Sequence, residues 1–160
     1  MDEREYERRI RECIPALYRV ARSILFDAQD CADAVQEAVF QGWVKRRQLR
    51  DPDRFQAWLI RIVVNECRNI QRRALKQKRA IEASMEDARR SPPCKCTTEL
   101  EAAVSRLPEK YRLPIVLYYA EDYPTKEIAE LLGMPDGRVR ERMHTARKML
   151  RGMLKYGPEE

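Results

Sequence analysis

Residues 123–154 constrain this chain most, because they permit little besides two short helices joined by a tight turn. Pro124 stops whatever precedes it, and the hydroxyl of Thr125 stands where it can cap the free amides of Lys126, Glu127 and Ile128. Ile128, Ala129, Leu131 and Leu132 then supply an apolar stripe. Gly133-Met134-Pro135 ends that helix, since glycine accepts left-handed backbone beyond a helix end and proline cannot continue the hydrogen-bond ladder. Asp136 places a carboxylate where the dipole of a second helix favours one. From there Val139, Met143, Ala146 and Leu150 recur at i, i+4, i+7 and i+11 and turn one face inward, while Arg138, Arg140, Arg142, Arg147 and Lys148 lie on other faces. Two helices about a tight turn, the second basic on its exposed side, form a layout suited to reading DNA, with the first turns of the second helix in a major groove.

Charge sharpens the reading, because the whole chain of 160 residues carries only +6. Residues 138–155 hold seven Lys or Arg against one acid, and residues 61–79 hold the same numbers, so the two segments carry +12 and the other 123 residues carry −6. A single charge run is usually a solvated helix face. Two separated basic helices on an acidic body instead indicate two polyanion contacts.

Apolar positions recur at helical spacing throughout, only five glycines are present, and no run alternates as a half-buried strand does, so the fold class is all-α. The expected helices span about 3–26, 29–46, 52–78, 98–106, 109–121, 125–132 and 136–155, with Pro114 early in the fifth, where a missing amide costs least. Residues 80–97, with Ser91-Pro92-Pro93 and little periodicity, read as a flexible linker between two small helical domains, 1–79 and 98–160. No apolar run is long enough to span a membrane and no secretion signal opens the chain, which predicts a cytoplasmic protein without membrane insertion. Five cysteines fit a reducing compartment. Cys13, Cys31 and Cys67 are expected in the core; Cys94-Lys95-Cys96 is a weak metal or redox pattern, His144 reads as a surface or DNA-facing residue, and no metal or cofactor is expected.

In the front domain, Val35, Ala38, Val39, Gly42 and Trp43 should face the core, leaving Asp33, Gln36, Glu37 and Gln41 outward beside Phe40, a face that could dock a partner helix or, equally on these residues alone, be an ordinary solvated helix face. The next helix buries Phe55, Trp58, Leu59, Ile62, Val63 and Ile70, while Arg61, Asn65, Arg68, Arg72 and Lys76 share another face with Asn69 and Arg73 beside them. Cations that track phosphates, with amides and aromatic rings nearby, suit single-stranded or melted DNA. The polar loop before it, Gln48 to Arg54, could close over a base pulled from the stack, although a structural turn is the cheaper reading of the loop taken in isolation. No clustered acids, nucleophile with a nearby base, or glycine-rich phosphate loop is present, so an enzyme acting on nucleic acid is disfavoured.

Together these residues resemble an extracytoplasmic-function (ECF, group IV) sigma factor of bacterial RNA polymerase. The front block is similar to region 2 through Asp30-Cys31-Ala32-Asp33-Ala34-Val35-Gln36-Glu37, Trp43, Phe55-Gln56-Ala57-Trp58, Asn65 and Arg72-Arg73. The rear block is similar to region 4 through Leu107-Pro108-Glu109-Lys110-Tyr111-Arg112, Glu127 to Gly133, Val139-Arg140 and Ala146-Arg147. The resemblance implies that Asp33, Gln36, Glu37 and Phe40 dock on the clamp helices of the largest polymerase subunit, with the flap of the second-largest subunit as a further contact. It implies that Arg61, Asn65, Arg68, Asn69, Arg72, Arg73 and Lys76 open the −10 element, and that Gln48, Leu49, Arg50, Asp51 and Asp53 form a specificity loop. Arg138, Arg140, Glu141, Arg142, His144, Arg147 and Lys148 would read the −35 element, and an anti-sigma factor is an implied partner. The competing reading is a stand-alone helix-turn-helix regulator, which leaves the front block without a task.

Overall fold

A computed structural model describes residues 1–81 and 98–154 of the chain, which divides into two compact units, Met1–Pro92 and Pro93–Glu160. Among the described residues every regular element is helical, as periodicity predicted.

The first unit packs three helices against one another. Helix α1, Glu3–Ile24, starts where the Asp2 carboxylate accepts from the Glu5 amide, and acids at Glu3 and Glu5 suit the positive end of its dipole. It stops two residues short of the expected end, because Leu25 is extended and the Asp27 side chain already caps α2, Ala28–Val44, by accepting from the Gln29 amide. Helix α3, Phe55–Ile81, follows two short 3-10 turns, Arg46–Gln48 and Pro52–Arg54. It runs two residues into the segment expected as linker.

Leu17, Val20 and Ala21 of α1, Ala34, Val35 and Ala38 of α2, and Leu59, Ile60, Val63, Val64 and Cys67 of α3 form the buried centre, with Cys13 and Cys31 also buried. Ile62, Ile70, Trp58 and Trp43 are only half-buried, so the α3 stripe is rotated from the expected one: with two neighbours to cover, Ile60 and Val64 turn inward instead. Gly42 is required by close approach. A Cβ there would lie 2.5 Å from the Tyr6 hydroxyl and 2.7 Å from Leu59 Cδ2. That hydroxyl donates to the Val39 carbonyl at 2.6 Å, and the Tyr6 ring lies 5.2 Å from Trp43 and 5.7 Å from Phe55.

The second unit is built on α7, Asp136–Leu154, which packs against α4, Glu99–Arg106, α5, Glu109–Ile115, and α6, Thr125–Leu132. Leu107, Leu113, Leu117, Ile128, Val139, Met143 and Ala146 fill its interior, whereas Leu150 is half-buried. Thr125 is not a cap: Pro124 holds the cap position without a side-chain hydrogen bond, and Thr125 is the first helical residue. Gly133 adopts the expected left-handed conformation, φ 66°, beyond the end of α6.

Pro114 lies later in α5 than expected, in its second turn, and is buried. Beyond it the helix widens into a π turn, Val116–Ala120, in which the Glu121 amide donates to the Val116 carbonyl at 3.2 Å. A proline inside a helix removes one ladder bond, and single π turns recur at functional positions.

Candidate nucleic-acid and polymerase interfaces

On α7, Arg138, Arg140, Glu141, His144 and Lys148 are exposed, and Arg142 and Arg147 are half-buried. Two of the arginines are already held. Arg140 pairs with Asp136 at 2.8 Å, one turn before it, and that carboxylate's other oxygen is buried without a hydrogen bond, close to the positive end of the helix dipole. Arg147 donates from Nε to the Tyr119 hydroxyl at 2.9 Å, and its guanidinium stands 5.7 Å from the Tyr119 ring and 5.9 Å from Tyr118. Nothing local in the sequence signals that contact, which joins residues 28 apart.

On α3, Arg61, Asn65, Arg72, Arg73 and Lys76 are exposed along one side, as their spacing predicted, while Arg68 and Asn69 are half-buried. The Asn69 amide is engaged within the protein: Nδ2 donates to Glu66 at 3.4 Å, and Oδ1 accepts from Arg72 at 2.8 Å. Asn69 therefore orients Arg72. Glu66, the one acid of this basic segment, is 8% exposed and also accepts from Gln41 of α2 at 2.9 Å. Gln41, expected outward, is half-buried for this reason.

The segment before α3 is more ordered than a polar loop. Arg46 stacks 3.6 Å over the Trp43 ring and donates to the Trp43 carbonyl at 2.8 Å; Asp51 caps the Asp53 amide at 3.0 Å; Arg9 of α1 donates to the Pro52 carbonyl at 2.9 Å. Gln48, Arg50, Asp51 and Asp53 are exposed and Leu49 is half-buried.

On α2, Asp33, Gln36, Glu37 and Phe40 all face outward. Phe40 is 62% exposed and Val44, one turn further and absent from the sequence expectation, is 59% exposed, so the acidic row continues into an apolar strip. The i+4 spacing of Phe40 and Val44 was the available signal. Burial, with Asp27 and Asp33 nearby, raises the Asp30 carboxyl above its ordinary range.

Among the described residues no group of three His, Cys, Asp or Glu side chains is placed to hold a metal ion, and no helix is long and apolar enough to cross a membrane. Cys94 and Cys96 lie outside the described residues.

A three-helix unit with one basic helix, and a second unit carrying a basic helix after a tight turn, define a class of bipartite DNA-binding transcription factor. The Sigma-70 region 2 family matches residues 9–79, and Sigma-70 region 4 matches residues 97–150. The ECF RNA polymerase sigma factor SigM of Mycobacterium tuberculosis is 31% identical over 144 residues, covering 88% of this chain and 72% of its own length. The probable RNA polymerase sigma factor RfaY of Xanthomonas campestris pv. campestris is 31% identical over 160 residues; the match spans 93% of this chain but only 40% of RfaY. Among solved structures, the sigma factor RpoE in complex with the anti-sigma factor NepR from Bartonella quintana shares the fold, with a TM-score of 0.83 at 21% identity, covering 98% of this chain and 100% of RpoE. CnrH in complex with the cytosolic domain of CnrY matches with a TM-score of 0.69 at 27% identity, covering 98% of this chain and 92% of CnrH. The chain belongs to the ECF sigma factors of RNA polymerase. Its function is to direct promoter-specific initiation, rather than to act as a stand-alone regulator.

Proposed function

We propose that residues 1–79 dock on core RNA polymerase and open the −10 element, that residues 80–97 link the two domains, and that residues 98–160 read the −35 element. The observation that carries this reading is the pairing, within one unit, of an outward acidic and apolar face on α2 with an outward cationic face on α3. An exposed strip such as Phe40–Val44 beside Glu37 and Asp33 suits an amphipathic helix with basic flanks, the role assigned to the polymerase clamp. Arg61, Arg72, Arg73 and Lys76 then track phosphates of the separated strand, with Asn65 and the ordered Gln48–Asp53 segment beside them for an extruded base. In the second unit, Arg138, Arg140, Glu141 and Arg142 occupy the first turns of α7, the part of such a helix that meets base edges. An arginine there reads guanine through two parallel hydrogen bonds.

The factor performs no catalysis of its own in this scheme; nucleotide addition belongs to the core enzyme, and the working compartment is the cytoplasm. The polymerase flap is a further contact of the second domain. An anti-sigma partner is supported by RpoE, which was solved bound to one.

Start-site mapping on genomic DNA, with core polymerase alone and with this protein added, tests the reading. New discrete starts preceded by a common pair of elements are expected. Unchanged start sites would refute it.

A further inference from the structure

On the proposed reading surface, Arg147 is gripped by an aromatic pair from outside its own helix. Arg140, His144, Arg147 and Arg151 follow at i, i+4, i+7 and i+11, so Arg147 continues the row that begins in the groove-reading turns. It stands about 10 Å further along the axis than Arg140. A major groove is only about 8.5 Å deep, so a side chain that far back on an inserted helix emerges at the groove wall, where phosphates lie rather than base edges.

The local geometry suits an anion. Nε is spent on the Tyr119 hydroxyl at 2.9 Å, which directs the two terminal nitrogens of the guanidinium away from the tyrosine. The hydroxyl accepts that bond and keeps its own proton to donate. Tyr118 and Tyr119 meet edge to face at 4.9 Å and flank the guanidinium, limiting its rotamers, and Tyr119 is 58% exposed. The π turn of residues 116–120 holds both tyrosines.

We infer that Tyr119 and Arg147 together form a seat for one DNA phosphate at the edge of the upstream element, with Tyr119 both orienting the arginine and donating its phenolic proton to the phosphate. The inference rests on the reading of α7 as the groove helix. It adds a residue from the π turn after α5 to the DNA surface and separates Arg147 from the base-reading arginines.

The test uses holoenzyme reconstituted from core polymerase and the full chain, and a promoter fragment located by start-site mapping. Single phosphates of its upstream element are replaced in turn by neutral methylphosphonates. Tyr119→Phe, which keeps both rings, is expected to weaken binding by about 10- to 150-fold, the worth of one hydrogen bond to a charged group. Arg147→Ala is expected to weaken it tenfold or more and to reduce the log–log salt slope by about 1. The losses in the double variant should be less than additive, and one methylphosphonate position that harms the parent should be harmless to Arg147→Ala and less harmful to Tyr119→Phe than to the parent. If Arg147→Ala weakens binding but Tyr119→Phe matches the parent in affinity and in its methylphosphonate profile, Tyr119 is only a brace; the seat is refuted and the groove reading stands. The seat is refuted in the same way if Tyr119→Phe lowers the melting temperature and affects all phosphate positions equally. If Arg140→Ala, Arg142→Ala and Arg147→Ala all bind normally, the groove reading falls, and the seat with it.

Discussion

Gln41 of α2 donates to Glu66 of α3 across 2.9 Å, a polar link beside the apolar core that packs the proposed polymerase-docking helix against the proposed strand-opening helix. Gln41 Nε2 also reaches Glu37 at 3.0 Å, and Glu66 in turn accepts from Asn69, whose carbonyl oxygen holds Arg72. A buried carboxylate is tolerated only while donors satisfy it. The buried Glu66 carboxylate therefore depends on Gln41 and Asn69, and Asn69 in turn holds Arg72.

Gln41→Leu removes one of those donors and is expected to destabilise the protein by about 1–3 kcal/mol. The melting temperature should fall by several degrees. Adding Glu66→Leu should restore part of the loss, because the unpaired acid is then gone. Additive losses in that double-mutant cycle would contradict the pairing.

Gly42→Ala forces a methyl group against the Tyr6 hydroxyl and Leu59. Overpacking of this kind costs about 1–3 kcal/mol. Denaturant unfolding should show a lower midpoint, and pairing the change with Tyr6→Phe, which removes the hydroxyl it meets, should recover some of it. A midpoint equal to the parent's would mean that α1 and α2 separate readily.

Arg112 is 5% exposed and donates to the carbonyls of Ser105 and Leu107, where α4 ends. Burial lowers the pKa of its guanidinium below the ordinary arginine value, and Glu109 opposes that shift. Hydrogen bonds from a charged group contribute about 1.5–3 kcal/mol, so Arg112→Met should lower the stability of the second unit by about that much. Amide hydrogen exchange should locate the loss in α4 and α5. Uniform exchange behaviour across both units would argue against this role.

Burial raises the Tyr6 phenol from 10.0 to about 12, and the Cys13 and Cys31 thiols from 9.0 to about 11. All three are neutral in the folded state and ionise at lower pH once unfolded. Their contribution is therefore complete below the ordinary values and is lost as pH rises from about 9 toward 12, where the unfolded chain binds fewer protons. The melting temperature should decline over that range, less so in Cys13→Ala/Cys31→Ala than in the parent. At about pH 8 both thiols should resist alkylation until the protein unfolds.

Glu37→Lys reverses a charge on the outward face of α2 and should reduce co-purification with core polymerase at least tenfold at low salt, while leaving the folded state intact, since Glu37 is exposed. Normal co-purification would move the docking face elsewhere.

Much of this is legible in the sequence because it depends on neighbours within about four residues. Pro124, Gly133 and Asp136 set the limits of α6 and α7; the spacing of Val139, Met143 and Ala146 selects the buried face of α7; Arg61, Asn65, Arg72 and Lys76 fall on one exposed side of α3. Thr125 begins α6 instead of capping it, with Pro124 in the cap position without a side-chain bond, and Pro114 falls in the second turn of α5. Caps, helix ends and stripes follow from local backbone geometry and from the helical repeat, both written into consecutive residues. Which side chain meets which across helices was decided only by tertiary structure. The packing of α2 on α3 set Glu66 against Gln41 and half-buried Asn69, and the packing of the second unit set Tyr119, in a π turn, against Arg147, 28 residues away. Such pairings depend on the relative rotation of packed helices, which no short stretch of sequence encodes by itself.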